Sequence, residues 1–112
     1  MKFTITSQDR YTIFEVEGSL SIENLLNLEN SLKPEVDAKK HILMDLSKLS
    51  FIDSSAIRFI IHYFYESQRC DRLLCLVNLN NEIAQVFSIT ELDQKIKMFS
   101  STQEALDYIK RK

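Results

Sequence analysis

The 112-residue sequence has one glycine, one proline, two cysteines and no tryptophan. A single glycine cannot build the glycine-rich loop that holds phosphates in nucleotide-binding proteins, so that class of site is excluded. Cys70 and Cys75 are five residues apart, a spacing that fits neither a Cys-x-x-Cys redox pair nor a zinc knuckle. We therefore expect reduced thiols, and we interpret Cys75, which lies in a run of aliphatic residues, as a small buried hydrophobic residue.

The sequence also lacks a strong excess of charge of one sign and any long apolar run. Fourteen lysines and arginines stand against sixteen aspartates and glutamates, a formal net charge of −2. A basic face for nucleic acid is therefore not expected. No apolar run approaches the roughly 20 residues that a membrane span needs, and the residues after Met1 do not resemble a signal peptide. We expect a cytoplasmic protein without membrane insertion.

Constellations of catalytic or metal-binding residues are absent as well. His41 and His62 have no ligand spacing to each other or to the cysteines, so no metal site is predicted. No serine has a histidine and an aspartate in support, as a nucleophilic enzyme would need. Asp45 and Asp53 could suggest a phospho-receiver, but no earlier predicted strand ends in the acidic pair of such a site. We predict neither enzymatic activity nor a cofactor.

Short apolar and β-branched runs between turn signals predict five strands. The predicted strands are Phe3–Thr6, Tyr11–Glu17, Ile42–Leu46, Leu73–Val77 and Ile96–Phe99. The third run is apolar almost throughout, which indicates a strand buried on both faces in the middle of a parallel sheet. Gly18, the only glycine, is expected where the backbone adopts a conformation that other residues avoid.

Apolar residues at helical spacing after small polar residues predict four helices. In the first, Ser21 is the expected cap, and Pro34 is expected to stop or kink the helix. Its predicted apolar side comprises Ile22, Leu25, Leu26, Leu28 and Leu32. The second is expected from Ser54 to Arg69. The predicted caps of the last two are Asn80 and Ser101.

The resulting order, β-β-α-β-α-β-α-β-α, predicts one α/β domain over residues 1–112. From the third strand onward strands alternate with helices, a pattern that favours a mixed, mostly parallel sheet of about five strands. The first two strands are expected to form an antiparallel hairpin at its edge.

The start of the second helix carries the strongest local signal. After the third strand and a short loop, Asp53-Ser54-Ser55 stands directly before Ile57, Ile60, Ile61 and Phe64, which recur at helical spacing. Small side-chain oxygens there accept hydrogen bonds from the free amides of the first turn. Two hydroxyls also lie at the positive end of the helix dipole, where a phosphate is favoured. The tripeptide could serve as a cap, a phosphorylation site or both.

The same helix has an unusually wide apolar side. Ala56, Phe59, Tyr63 and Cys70 extend it beyond the stripe of isoleucines, opposite a polar side with Arg58, His62, Glu66 and Arg69. The simpler interpretation is that this flank packs on a neighbouring helix, and the alternative is a partly exposed surface for a partner protein.

Residues 43–56 closely resemble the signature of STAS-domain anti-sigma-factor antagonists, in which a strand ending in Asp-Leu is followed by Asp-Ser-Ser or Asp-Ser-Thr at a helix start. Gly18-Ser19-Leu20 resembles the glycine-x-leucine turn of that family. The segment from Asn80 to Leu92 resembles its helix that ends in phenylalanine, followed by a spacer and a leucine. The resemblance extends over the whole chain.

This resemblance implies partner switching. In that family the unmodified domain binds an anti-sigma factor that is also a serine kinase, and the sigma factor is displaced. The kinase uses ATP and magnesium to phosphorylate the serine after the loop aspartate, here Ser54, with Ser55 as the alternative acceptor. A metal-dependent serine phosphatase reverses the step. The implied partner-binding residues are Gly18, Leu20, Ser21, Asp53, Ser54, Ser55, Ala56, Arg58, Phe59 and His62.

The chain departs from the family pattern at Ala56 and Arg58, where glycine is common, and at Ser21, where aspartate is common. Arg58 is four residues beyond Ser54, within reach of a phosphate there. A second hypothesis keeps the fold but makes the chain a permanent, unphosphorylated subunit of a lipid-transport ATPase or a stress-signalling assembly. A third, a small enzyme or nucleotide-binding domain, is disfavoured because glycines and catalytic constellations are missing.

Overall fold

The computed structural model describes residues 1–111 except for the side chain of Asp93, so Lys112 of the predicted domain lies outside the described residues. Its five strands form one sheet in the order β1-β2-β3-β4-β5. The strands are β1 Lys2–Ser7, β2 Tyr11–Leu20, β3 His41–Ile52, β4 Leu74–Val77 and β5 Met98–Phe99. β1 is antiparallel to β2 and all other pairs are parallel. The mixed sheet with an antiparallel edge hairpin is confirmed.

The four helices are α1 Leu25–Asp37, α2 Ser54–Arg69, α3 Asn81–Ile89 and α4 Thr102–Lys110, with a 3-10 turn at Leu92–Gln94. Three of the four predicted caps are confirmed. The side chains of Asp53, Asn80 and Ser101 each accept a hydrogen bond from the backbone N–H three residues later, at 2.8, 3.0 and 3.2 Å. Each bond satisfies one amide that the first helical turn would otherwise leave unpaired.

The hydrophobic core lies on both faces of the sheet. Side chains of α1, α2 and α3 cover one face, where Phe14, Met44 and Phe87 are fully buried. α4 covers part of the other face, where Leu43 and Cys75 are fully buried. β3 contributes alternate residues to both clusters, which confirms the prediction of a central strand. Burial raises the pKa of the Cys75 thiol to about 12, so this cysteine behaves as a small apolar residue.

The central strand is longer than predicted. Residues 47–52, expected to form a loop, continue β3 because β2 runs alongside them, with Glu17 opposite Lys48 and Leu20 opposite Ile52. The register shifts twice along this stretch, between Glu15 and Glu17 and between Gly18 and Ser19. Gly18 has a φ of +92°, a conformation that side chains disfavour, so the prediction for this position is confirmed.

The predicted cap of α1 is wrong, and so is one of the two outcomes predicted for Pro34, a stop of the helix. Ser21 does not cap the helix; its backbone N–H donates to the Asn24 side chain at 3.0 Å within a turn, and the helix begins at Leu25. Pro34 does not stop the helix, which continues to Asp37. Burial of Leu32 and Val36 against the sheet keeps the last turn in place despite the amide that proline lacks.

The buried face of α2 is rotated from the predicted stripe. Ala56, Ile60, Tyr63 and Ser67 are buried, whereas the remaining isoleucines and Phe64 are half-buried at its margins. The hydroxyl of Tyr63 donates to the Glu29 carboxylate of α1. The wide apolar flank therefore packs on the neighbouring helix, as the simpler interpretation predicted.

Candidate functional site

The first turn of α2 is tied to the turn before α1 by one carboxylate. Asp53 Oδ1 accepts a hydrogen bond from Ala56 N at 2.8 Å, and Oδ2 accepts one from Ile22 N at 3.1 Å. The backbone N–H of Asp53 donates to the Leu20 carbonyl at 3.2 Å. Residues 20–26 and 51–58 thus meet at the carboxyl edge of the sheet, and we call these two segments the tip.

Asp53 carries a negative charge at this position. The pKa of its carboxyl is lowered, chiefly by the hydrogen bond from Ala56 N–H and further by the Ile22 amide and the charge of Arg58, against an opposing effect of desolvation. Hydrogen bonds to the ionised form favour it over the neutral acid. A second anionic group beside Asp53 would therefore stand next to a fixed charge.

The two serines that follow Asp53 differ in their surroundings. Ser54 is exposed, and within residues 1–111 its hydroxyl has no hydrogen-bond partner. Ser55 is half-buried, and its Oγ accepts a hydrogen bond from Arg58 Nη2 at 3.3 Å. Because the helix cap is the Asp53 carboxylate, the hydroxyl of Ser54 is not needed to close the first turn. Ser54 is the accessible hydroxyl of the pair.

Three large apolar side chains are exposed in the two segments of the tip. Ile22, Leu26 and Phe51 are 69%, 67% and 53% exposed, and we call them the apical patch. Ile22 is held to Asp53 through its backbone amide, Leu26 follows one turn later, and Phe51 lies on the last part of β3. Exposed apolar side chains grouped in one region are typical of protein-binding surfaces.

The sequence analysis missed this patch. Ile22 and Leu26 were expected on the core side of α1, but the helix begins only at Leu25, so Ile22 lies in the preceding turn, and both side chains are exposed. Phe51 was expected in a loop and instead belongs to β3. No local signal distinguished these residues from core residues, since their exposure depends on how the turn before α1 is anchored to Asp53.

The structure brings together only some of the predicted partner-binding residues. Asp53, Ser54, Ser55, Arg58 and Ser21 lie in the tip, and none of them is fully buried.

Leu20 and Ala56 cannot contact a partner as predicted, because both are fully buried in the core. Phe59 is half-buried against that core, and His62 is exposed one turn further along α2, with Nε2 3.9 Å from Glu66. Gly18 is half-buried on β2, and its carbonyl accepts a hydrogen bond from Ser50 Oγ at 3.0 Å.

Among the side chains that the structure describes, which exclude that of Asp93, no three histidine, cysteine or acidic side chains are arranged to hold a metal ion. An open groove of about 510 Å³ on the sheet face is lined partly by Lys2, Glu15, Glu17, Asp45 and Lys48, apart from the tip. No helix within the described part of the chain has the length and apolar character needed to cross a membrane.

Comparison with known families agrees with this geometry. The family model of the STAS domain matches residues 2–105, which is most of the chain. The chain belongs to the STAS domain family. A relative of this STAS chain is the anti-sigma-B factor antagonist of Staphylococcus aureus, with 24% identity over 99 residues that cover 88% of this chain and 92% of that protein.

Solved structures show the same fold. A proposed anti-sigma factor antagonist of Thermotoga maritima superposes with a TM-score of 0.88 at 24% identity, over 96% of this chain and 94% of that chain. Unphosphorylated SpoIIAA gives a TM-score of 0.78 at 19% identity, over 97% of this chain and 98% of that chain. Phosphorylated Bacillus SpoIIAA gives a TM-score of 0.75 at 19% identity, over 96% of this chain and 99% of that chain. At these identities the likeness shows the STAS fold.

Proposed function

We propose that this STAS chain is an anti-sigma factor antagonist that binds an anti-sigma serine kinase through the tip and is released when Ser54 is phosphorylated. A serine phosphatase then restores the binding form. In this scheme the chain acts in the cytoplasm as a ligand and a substrate, not as an enzyme, and it needs no cofactor of its own. The observation that carries the proposal is the exposed, unpartnered hydroxyl of Ser54 beside the ionised Asp53.

The apical patch supplies the binding surface for the unmodified chain. Ile22, Leu26 and Phe51 offer apolar area next to Ser54, and burying such side chains contributes roughly 25 cal/mol per Å² of apolar surface. A kinase that covers the apical patch also covers the start of α2, where Ser54 lies. The same docking that sequesters the kinase therefore brings its active site close to the Ser54 hydroxyl.

The phosphorylation step requires from this chain only a positioned acceptor. Ser54 Oγ attacks the γ-phosphorus of magnesium-bound ATP, forming the Oγ–P bond as the bond from that phosphorus to the ADP oxygen breaks. The hydroxyl proton passes to a base of the kinase; the neighbouring carboxylate of this chain, Asp53, already accepts hydrogen bonds from two backbone amides. Hydrolysis by the phosphatase returns the hydroxyl and inorganic phosphate.

The added phosphate opposes docking by charge and desolvation. It brings about −1.5 to −2 charges to a point adjacent to Asp53. Burying both anions against a partner costs desolvation and like-charge repulsion. Reversing a binding preference from 1:99 to 99:1 requires about 5.5 kcal/mol, within what a desolvated phosphate beside a carboxylate can supply. The helix itself stays capped, since Asp53 and not Ser54 closes its first turn.

A phosphorylation assay tests the proposal. The purified chain is incubated with the anti-sigma kinases of its own genome, ATP and magnesium, and its intact mass is measured. We expect one added phosphate in the wild type and in Ser55→Ala, and none in Ser54→Ala. Phosphate retained by Ser54→Ala would contradict the assignment. If the wild type and both variants bound a partner tightly but none took up phosphate, the chain would instead be a permanent, unphosphorylated subunit.

A further inference from the structure

Arg58 occupies an unusual electrostatic position on α2. Its Nη2 donates to Ser55 Oγ at 3.3 Å, which brings the guanidinium back toward the start of the helix. Among the residues that the structure describes, no carboxylate lies within salt-bridge distance of it. Both oxygens of the nearby Asp53 carboxylate instead accept hydrogen bonds from backbone amides. Within the described residues its one hydrogen-bond partner is a neutral hydroxyl, and its charge acts on Asp53 without a salt bridge.

The charges of the tip are otherwise negative. Residues 20–26 and 51–58 contain three ionisable side chains that are charged at neutral pH, namely Glu23, Asp53 and Arg58. Phosphorylation of Ser54 would add about two further negative charges. Arg58 is the one cation in these segments, and it is four residues from Ser54, the spacing at which two helical side chains face each other.

We propose that Arg58 is the built-in counter-cation of phosphorylated Ser54. Its guanidinium gives up the hydrogen bond to the Ser55 hydroxyl and binds the phosphoryl oxygens instead. This contact limits the loss of kinase affinity that phosphorylation causes. This inference rests on the proposed function and describes how strongly that switch acts. A guanidinium gains more from two phosphate oxygens than from one neutral hydroxyl, because its parallel N–H groups match a phosphate in a bidentate arrangement. Within the described residues Arg58 forms no salt bridge with Asp53, so its move to the phosphate breaks no ion pair.

The test does not depend on any kinase. Phosphoserine is incorporated at position 54 during translation, and the phosphate is titrated by ³¹P NMR in the wild type, Arg58→Gln and Arg69→Gln. Arg69 is a matched control: an exposed arginine on the same helix, eleven residues further along and paired with Glu66 at 3.5 Å. Glu23 and Asp53 are present in all three proteins, so their effect on the phosphate cancels.

We expect the second pKa of the phosphate to be about 0.5 higher in Arg58→Gln than in the wild type, the effect of removing one unit charge at roughly 4–5 Å across water. Arg69→Gln should titrate like the wild type. The Arg58 side-chain ¹⁵N resonance should also shift when phosphoserine replaces Ser54. Equal phosphate pKa values in the wild type and Arg58→Gln, with an unmoved Arg58 resonance, would overturn the inference.

Binding to the kinase supplies a second readout in the form of a double-mutant cycle. The ratio of the Kd of the phosphorylated chain to that of the unmodified chain should rise about threefold in Arg58→Gln, because the phosphate is no longer partly neutralised. An unchanged or smaller ratio would count against the inference. If Ser54 is phosphorylated but the NMR difference is missing, only this inference fails; if the NMR difference appears but no kinase modifies Ser54, the proposed function fails.

Discussion

At the scale of single residues, Asp53 has two roles that depend on different atoms. One carboxylate oxygen caps α2, and the other holds the amide of Ile22 and thus fixes the turn that presents the apical patch. An aspartate suits both roles because it can accept from two amides at once. The same arrangement leaves the Ser54 hydroxyl without a hydrogen-bond partner among the described residues. The structural role of Asp53 and the regulatory role that we propose for Ser54 therefore fall on neighbouring residues.

Substitution of Asp53 should separate these two roles. Asp53→Asn keeps one acceptor oxygen and can still cap the helix, since asparagine caps about as well as aspartate, but it cannot accept from both amides. Asp53→Ala loses both bonds. We expect the unfolding temperature to fall by several degrees in Asp53→Ala and by less in Asp53→Asn, measured by thermal denaturation. Equal unfolding temperatures for all three proteins would show that the cap does not stabilise the fold.

Ser67 is the second residue with a testable energetic consequence. It is 1% exposed on the buried face of α2, and among the described residues its hydroxyl has no hydrogen-bond partner. Ser67→Ala removes this unsatisfied group and places a better helix former, so we expect a gain of about 1 kcal/mol in the free energy of unfolding. Ser88→Ala, at an exposed position of α3, is the control for helix propensity and should gain less. Urea denaturation measures both; a loss of stability in Ser67→Ala would contradict the analysis.

At the scale of elements, helix caps were predictable and strand lengths were not. Asp53, Asn80 and Ser101 are local signals, because each side chain bonds an amide three residues away. Residues 47–52 carry no comparable signal. They become strand only because β2 extends beside them, a pairing between segments about thirty residues apart in sequence. The prediction of where α1 starts failed for a similar reason, because the preceding turn is anchored to the Asp53 carboxylate, which is distant in sequence.

Pro34 offers a test of how α1 is held. It lies inside the helix, where a proline removes one backbone hydrogen bond and crowds the carbonyl four residues earlier. Packing of Leu32 and Val36 outweighs that cost. Pro34→Ala should therefore increase the free energy of unfolding by about 1 to 3 kcal/mol, measured by urea denaturation. A decrease would mean that proline stabilises this turn by restricting the unfolded chain more than it costs in the helix.

At the scale of the whole molecule, a polar contact joins the edge hairpin to the end of α1. Glu35 Oε1 accepts hydrogen bonds from Ser7 Oγ at 2.6 Å and Thr12 Oγ1 at 2.9 Å, and Lys40 Nζ lies 3.7 Å away. These contacts, led by the Ser7 hydrogen bond, lower the pKa of the Glu35 carboxyl from its ordinary value of 4.5. The pKa of Asp53 is lowered as well. Both carboxylates are therefore bound more favourably in the folded chain than in the unfolded one.

The pH dependence of stability follows from these two shifts. Because both folded pKa values lie below the unfolded ones, the unfolded chain takes up protons first as the pH falls. The stabilisation is complete above the ordinary values, near 4.5 for Glu35, and is lost as the pH falls through the lowered folded values. The urea concentration at the unfolding midpoint, measured from pH 7 to pH 3, should decrease once the pH is under about 4.5. The decrease should be less steep in Glu35→Gln than in the wild type. If the midpoint depended on pH in the same way in the wild type and in Glu35→Gln, Glu35 would be excluded as a source of the pH dependence.

The fold and the position of Ser54 at the start of α2 were accessible from sequence, whereas the surface around it was not. Alternating apolar runs and caps define the element order, and Asp53-Ser54-Ser55 at a helix start is a short-range motif. The exposure of Ile22, Leu26 and Phe51 depends on tertiary contacts between β2, β3 and the turn before α1. Burial of Leu20 and Ala56, both expected at the partner surface, depends on the same packing.

The affinity of the chain for the proposed anti-sigma kinase, with and without phosphate on Ser54, is the measurement that bears most directly on the proposed function. Isothermal titration calorimetry with the purified kinase would compare the unmodified chain, the chain carrying phosphoserine at position 54 and Ser54→Ala. We predict that phosphoserine raises the Kd by about a hundredfold or more while Ser54→Ala binds nearly as tightly as the unmodified chain. Equal affinities for the unmodified and phosphorylated chains would contradict it.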